Sequence, residues 1–204
     1  MSTLLFILLA YLLGSIPTAV WVGKSWYAID VREHGSKNAG ATNTFRVLGK
    51  KPGIIVLIID IIKGAIASLL PFYFYTGTTD QVVNLQIITS IVAVVGHVFP
   101  CFANFKGGKG VATSLGVIIG LHPAAAGICM AVFLLVFLTS HYVSLGAMIG
   151  AITFPLSIVF VFHTHSFWLI VFAHVLAILV ILAHRKNIQR LLKGEESKMR
   201  VFKK

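Results

Sequence analysis

Apolar residues run along this chain in long blocks, not in the one-face pattern of soluble helices or the alternation of half-buried strands. The blocks cover residues 4–22, 53–75, 85–99, 111–121, 123–139, 145–162 and 167–183. A helix needs roughly 20 apolar residues to cross a bilayer, and several blocks approach that length. They predict an all-α integral membrane protein, a seven-span helical bundle in which some spans are short. No Lys or Arg precedes the first block, as a secretory leader would require. It therefore reads as a retained first span entering from the outside face.

The stretch 111–139 decides the number of crossings. As one helix it would be about 43 Å long at 1.5 Å per residue, too long for an apolar core of about 30 Å. Pro123 lies inside it, preceded by Gly120 and His122, and proline starts a helix far better than it continues one. Two helices are expected, one ending near Leu121 and one starting at Pro123. Seven crossings put the loop 24–51, the loop around Lys106 and Lys109, the turn 140–144 and the C-terminus on the cytoplasmic side, with the N-terminus outside. Six crossings would send the basic tail outward, against the positive-inside rule. Blocks 85–99 and 111–121 are too brief to span simply and are expected to pair with buried loop backbone. Gly116/Gly120 and Gly146/Gly150 are glycines four apart, suited to close helix packing.

Composition sharpens this reading. Of 204 residues, 57% are hydrophobic and 11% charged, against about 45–50% and 25% for a soluble domain. That excludes a soluble enzyme and leaves room for one polytopic domain, 1–204. The net charge of +11 would suggest nucleic acid in a soluble protein. Here the cations fall between Lys24 and Lys51, at Lys63, at Lys106 and Lys109, and from Arg185 to Lys204. Charge in alternate loops is accounted for by topology, so no nucleic-acid partner is expected. Cys101 and Cys129 form no CxxC and no zinc-spaced cluster, so neither a disulfide framework nor a metal is expected.

Candidate chemistry lies in the polar loops. Residues 34–46 read His-Gly-Ser-Lys-Asn-Ala-Gly-Ala-Thr-Asn-Thr-Phe-Arg. Ser36, Asn38, Thr42, Asn43 and Arg46 offer donors on a glycine-bearing backbone, a setting that suits phosphate oxygens. A plain polar loop of turn residues would look similar. The second loop runs from Gly96-His97 to Phe105-Lys-Gly-Gly-Lys-Gly-Val-Ala-Thr113. It sets His97, Lys106, Gly107, Gly108 and Lys109 at the start of an apolar helix, where the dipole and free N–H groups favour an anion. Helix anchoring would explain its lysines but not its three glycines. It is no Walker A loop, since Ala103 stands where the first Gly is required and Gly110 where Ser or Thr is required. No nucleoside triphosphate is implied. After the last span, His184 and Asn187 are three apart and share a helical face, while the chain from Lys193 reads as an interfacial anchor on anionic lipid. Asp60 and Lys63 lie inside the second span and are expected to pair.

These stretches carry a resemblance in order along nearly the whole chain. Gly14-Ser-Ile-Pro17, His34 to Asn43 with Arg46, Asp60-Ile-Ile-Lys63-Gly64, Gly96-His-Val-Phe-Pro100, Phe105 to Thr113, Tyr142-Val-Ser144 and His184-Arg-Lys-Asn-Ile188 with Gly194 and Glu196 resemble the bacterial acyl-phosphate-dependent glycerol-3-phosphate acyltransferase family. Lys37 departs from the family's more usual Gly. The resemblance implies an enzyme of the bacterial inner membrane, with its active site facing the cytoplasm. It would move a fatty acyl chain from acyl phosphate to the 1-hydroxyl of glycerol 3-phosphate in phospholipid biosynthesis. It implies no cofactor and no coenzyme A thioester, and no His here has Asp five positions later, the spacing of other glycerolipid acyltransferases. By the same resemblance Ser36, Arg46, Lys106, Ser144, His184 and Asn187 line the site. Arg46, Lys106 and the Gly107 and Gly108 amides are assigned to phosphate. His184 is a general-base candidate, and a substrate phosphate could take the proton instead. The rival class, a channel or transporter for organic phosphates, would carry polar residues through the depth of several helices, and these spans carry almost none beyond Asp60 and Lys63.

Overall fold

The computed structural model describes residues 2–199, so Arg200, Lys203 and Lys204 of the basic tail lie outside the described residues. Among those described, regular structure is helical and no strand forms. The helices are α1 (Thr3–Gly14), α2 (Thr18–Tyr27), α3 (Ala41–Leu48), α4 (Lys50–Phe74), α5 (Thr79–Val98), α6 (Val111–Leu121), α7 (Pro123–Ser140), α8 (Val143–Leu156), α9 (Phe167–Ala183) and α10 (Arg185–Leu192). Four helical stretches are long and apolar enough to cross a membrane: Lys50–Phe74, Thr79–Ala103, Pro123–Ser140 and Val143–Val161. Two bent pairs, α1 with α2 at 42° and α9 with α10 at 59°, raise the number to six, and α6 is a shorter apolar helix. This is a multi-pass membrane protein.

The division at Pro123 falls where the sequence puts it, with His122 extended between the two helices. Two expectations change. The block 85–99 is only part of α5, which is 20 residues long and starts at Thr79. Its first turns are polar, and Thr78 and Gln81 close a reciprocal capping box at its start, so hydropathy hides a helix that is long enough to cross. The first block is not one straight helix either, but the bent pair α1 and α2. The chain leaves the helix at Ser15–Ile16–Pro17, because Pro17 has no N–H to donate back into the preceding turn.

The chain forms two compact units, Met1–His122 and Pro123–Lys204. In the first, backbones meet at glycine. A Cβ at Gly14 would strike the Ala93 carbonyl, one at Gly64 the Thr113 carbonyl and one at Gly116 the Ile61 carbonyl. α1 thereby closes on α5, and α6 on α4. In the second unit Gly146 and Gly150 let α8 approach the α7 backbone at Phe133 and Cys129. Phe154 of α8 meets Phe172 of α9 edge-on at 6.1 Å. Both glycine pairs singled out in the sequence are thus packing devices. After Pro155 the helix widens into a π turn, Ser157–Val161, a common response to a lost helical donor.

The first unit also buries two charges. Asp60 and Lys63 are 1% and 3% exposed, which in an apolar bundle is affordable only with complete pairing. Lys63 Nζ lies 2.8 Å from Asp60 Oδ1 and donates to the Ile16 carbonyl at 2.7 Å. Thr18 Oγ1 donates to the same carboxylate oxygen at 3.0 Å. The break between α1 and α2 supplies both extra partners. Lys63→Met should therefore cost roughly 3–5 kcal/mol by stranding Asp60, while Asp60→Leu combined with Lys63→Met should regain most of it. Unfolding in detergent measures both, and an unchanged midpoint in the single variant would show that the pair carries no structural weight.

Candidate active site

The first polar loop is built around one side chain. Asn43, in the first turn of α3, is 1% exposed. Its Nδ2 donates to the Val31 carbonyl at 2.7 Å and the His34 carbonyl at 3.1 Å, and its Oδ1 accepts from the Ser36 N–H at 2.8 Å. Asn43 thus organises the loop with all of its polar atoms, so it is a scaffold residue and not the phosphate contact the sequence suggested. Lys37 takes φ +58°, the left-handed region where a side chain costs roughly 1–2 kcal/mol. That is why glycine suits this position. Ser36 and Arg46 are exposed, and Asn38 and Thr42 are half-buried. The Phe45 ring covers Gly53 in the first turn of α4.

The second loop corrects another expectation. The Gly107 N–H donates to the Val98 carbonyl at 3.1 Å and the Gly108 N–H to the His97 carbonyl at 3.2 Å. Neither amide is left for a phosphate. A Cβ at Gly107 would strike the His97 carbonyl, and one at Gly108 the His97 Nε2. The glycines are there so that the loop can lie against the end of α5. His97 is buried, with Nδ1 3.7 Å from Asp60 Oδ1, and so sits between the ion pair and the loop. The loop carries the exposed Lys106 and the half-buried Lys109, and beyond Gly110 the first-turn N–H groups of α6 lack intrahelical acceptors.

The second unit holds the other candidates. Ser144 opens α8, His184 follows α9 and Asn187 lies in α10, all three buried. Glu196 ties two of them together. It accepts from Ser144 Oγ at 2.8 Å and Asn187 Nδ2 at 2.6 Å through Oε1, and from Arg190 Nε at 2.7 Å through Oε2. Burial opposes its charge, but the bonds from Asn187, Ser144 and Arg190 outweigh that and hold its carboxyl below the ordinary value. Residues 195–199 thereby fold back along α10 and the turn before α8. The Met199 N–H donates to the His141 carbonyl at 2.9 Å, and Lys198 Nζ lies 5.4 Å from the centre of the Tyr142 ring. Glu196 is the residue the sequence-based site missed. Its signals were its place in the family resemblance and an acid among cations, with Ser144, Asn187 and Arg190 all able to donate to it. His184 Nδ1 lies 2.7 Å from the Val180 carbonyl. A carbonyl only accepts, so Nδ1 carries the proton and a neutral ring keeps its lone pair at Nε2. Among the described residues no group of His, Cys, Asp and Glu could hold a metal ion.

Comparison with known proteins agrees across the chain. Residues 4–194 match the family model described as glycerol-3-phosphate acyltransferase. A glycerol-3-phosphate acyltransferase of Fusobacterium nucleatum is 45% identical over 98% of this chain and 100% of its own length. Crystal structures of PlsY (YgiH), an integral membrane glycerol 3-phosphate acyltransferase, superpose with TM-scores of 0.88 for the glycerol 3-phosphate form and 0.85 for the lysophosphatidic acid form. Both are 38% identical, over 98% of this chain and 96% of theirs.

Two outcomes follow from the geometry. Gly108→Ala should disorder the second loop, because the new methyl group overlaps His97. Hydrogen exchange at the amides of positions 107 and 108 should rise sharply, and wild-type protection there would remove His97 as the brace. Glu196 has a folded pKa below its unfolded one. Its contribution is therefore complete above about 4.3, the free Glu value, and is lost as pH falls through the lowered folded value. Proteolysis of residues 194–199 should be resisted at neutral pH and begin in acid, and Glu196→Gln should be cut at neutral pH. Equal resistance at both pH values would refute the tether.

Proposed function

The chain belongs to the glycerol-3-phosphate acyltransferase family, and on that premise we propose that it transfers a fatty acyl group from acyl phosphate to the 1-hydroxyl of glycerol 3-phosphate. The products are 1-acylglycerol 3-phosphate (lysophosphatidate) and inorganic phosphate. The observation that carries this reading is the pair of braced polar loops presenting Arg46 and Lys106 on an apolar bundle, since both substrates bear phosphate and one bears a long apolar tail. The named forms of the solved relatives, with glycerol 3-phosphate and with lysophosphatidic acid, support the same substrate and product.

The hydroxyl oxygen attacks the acyl carbon, the bond from that carbon to the phosphate oxygen breaks, and phosphate departs with its electron pair. Both bonds exchanged lie within the two substrates, so the step calls on no cofactor and no coenzyme A thioester. Phosphate is already a good leaving group, which leaves positioning and charge stabilisation as the main tasks. We assign Ser36, Arg46, Lys106 and Lys109 to phosphate recognition, with Asn38 and Thr42 beside them. Asn43, His97, Gly107 and Gly108 hold the loops in shape. Ser144 and Asn187 are held by Glu196. We assign the hydroxyl proton to His184 Nε2, because the Val180 hydrogen bond favours that nitrogen as acceptor.

The same reading extends to placement. We infer seven crossings, with α6 completing the six long or bent spans, the N-terminus outside, and the polar loops facing the cytoplasm from the inner membrane. The cations at Lys24 to Lys51, at Lys106 and Lys109 and beyond Arg185 support that orientation. An externally reactive cysteine placed beside Lys109 in intact cells would contradict it.

Purified protein in detergent, given acyl phosphate and glycerol 3-phosphate, should release phosphate and form lysophosphatidate, and acyl-coenzyme A should not replace acyl phosphate. A channel or transporter for organic phosphates would form neither product. His184→Ala should lose about 10²–10⁴-fold in turnover. High activity in His184→Gln would give the proton to a substrate phosphate instead, and near-wild-type turnover in the alanine variant would remove His184 from the reaction.

A further inference from the structure

We propose that Arg32 is a positioning residue for acyl transfer: its guanidinium fastens the turn 100–106 to the first polar loop and so fixes where Lys106 presents its ammonium group. The catalytic part of this rests on the acyl-transfer reading above. Arg32 is joined on one side to its own loop. Its Nε donates to Asp30 Oδ1 at 2.9 Å and its Nη2 to Asp30 Oδ2 at 2.7 Å, the bidentate fork that only a guanidinium makes. Its backbone N–H also donates to Asp30 Oδ1, at 3.0 Å, and Lys24 Nζ lies 3.2 Å from Asp30 Oδ2. Hydrogen bonding by Arg32 holds the Asp30 carboxyl well below the usual carboxylate range, so the fork stays charged through the neutral range. Between the two residues Val31 is buried and its carbonyl is held by Asn43. The base of the clamp is therefore rigid.

On the other side Arg32 Nη1 reaches across 71 residues of sequence to the Ala103 carbonyl at 2.9 Å. That carbonyl also accepts the N–H of Lys106, at 3.2 Å. One oxygen thus joins the clamp directly to the backbone of the lysine. The turn needs a fastener. Asn104 and Phe105 stand at φ +53° and +57°, two consecutive left-handed residues without glycine, and such backbone persists only where surroundings over-determine it. Its own bonds, from the Ala103 and Phe105 N–H groups to the Pro100 carbonyl, close the turn but tie it to nothing outside itself. Arg32 supplies a hydrogen-bonded tie to the first loop, beside the ring contact of Phe102 with Trp21 at 6.2 Å. Charge alone would not do this, because the carboxylate and the carbonyl are gripped by three different nitrogens of one planar group.

The test combines exchange with kinetics. In Arg32→Ala, amide hydrogen exchange at Ala103, Phe105 and Lys106 should rise at least tenfold while the α4 amides stay protected. Unchanged exchange in the turn overturns the clamp, and an equal rise in α4 overturns it too, as general destabilisation. Catalytic efficiency should fall about 10- to 100-fold, the scale of one lost charge-assisted bond. Because Arg32 acts through Lys106, Arg32→Ala combined with Lys106→Ala should be little worse than Lys106→Ala alone. Multiplying losses would overturn the positioning role. Absence of phosphate release by the wild type would sink the acyl-transfer reading, and the positioning role with it. The exchange measurement judges the clamp itself without any turnover.

Discussion

Lys63 reaches two acceptors at once, the Asp60 carboxylate and the Ile16 carbonyl, and the second is available because the first span breaks before Pro17. An isolated charge in an apolar bundle is costly. A pair is more tolerable when its groups find further partners, as here through Thr18 and the Ile16 carbonyl. The break is therefore part of the ion pair, and the ion pair is what makes the break tolerable. His97 stands against the same carboxylate and carries the second loop on its carbonyl and ring. The second loop thus lies over the buried pair, with the His97 ring between them.

Around that core the polar loops share one design. A few buried or half-buried side chains satisfy loop backbone, and cations are left at the surface. Asn43 does this for the first loop and Arg32 for the turn before Lys106, the His97 carbonyl holds the Gly108 N–H, and in the other unit Glu196 gathers the side chains of Ser144, Asn187 and Arg190. Such a division suits phosphate chemistry. A pre-formed anion site loses little ordering entropy on binding, and its charges need not be desolvated until substrate arrives.

Much of this was legible in the sequence, for physical reasons that also mark where it stopped. The bilayer imposes length and apolarity residue by residue, so the blocks 123–139 and 167–183 nearly coincide with α7 and α9. Pro123 divided its stretch because proline acts locally. α5 was read too short because Thr78 and Gln81 cap it with polar groups that hydropathy counts as loop. The break at Pro17 lay inside an unbroken apolar run. Gly107 and Gly108 were read as phosphate amides, since sequence cannot separate a glycine that offers its N–H from one that makes room for a neighbour. Glu196 and Arg32 act on partners 52 and 71 positions away, and no local pattern encodes such pairs.

The central claim is that these braced loops bind a phosphate anion through their surface cations. Calorimetric titration of the purified protein with glycerol 3-phosphate tests it most directly, with glycerol as the control and Lys106→Ala as the variant. The account predicts saturable binding at one site per chain, no detectable binding of glycerol, and affinity at least tenfold weaker in the variant, about 1.4 kcal/mol. Equal binding of glycerol, or wild-type affinity in Lys106→Ala, would contradict it.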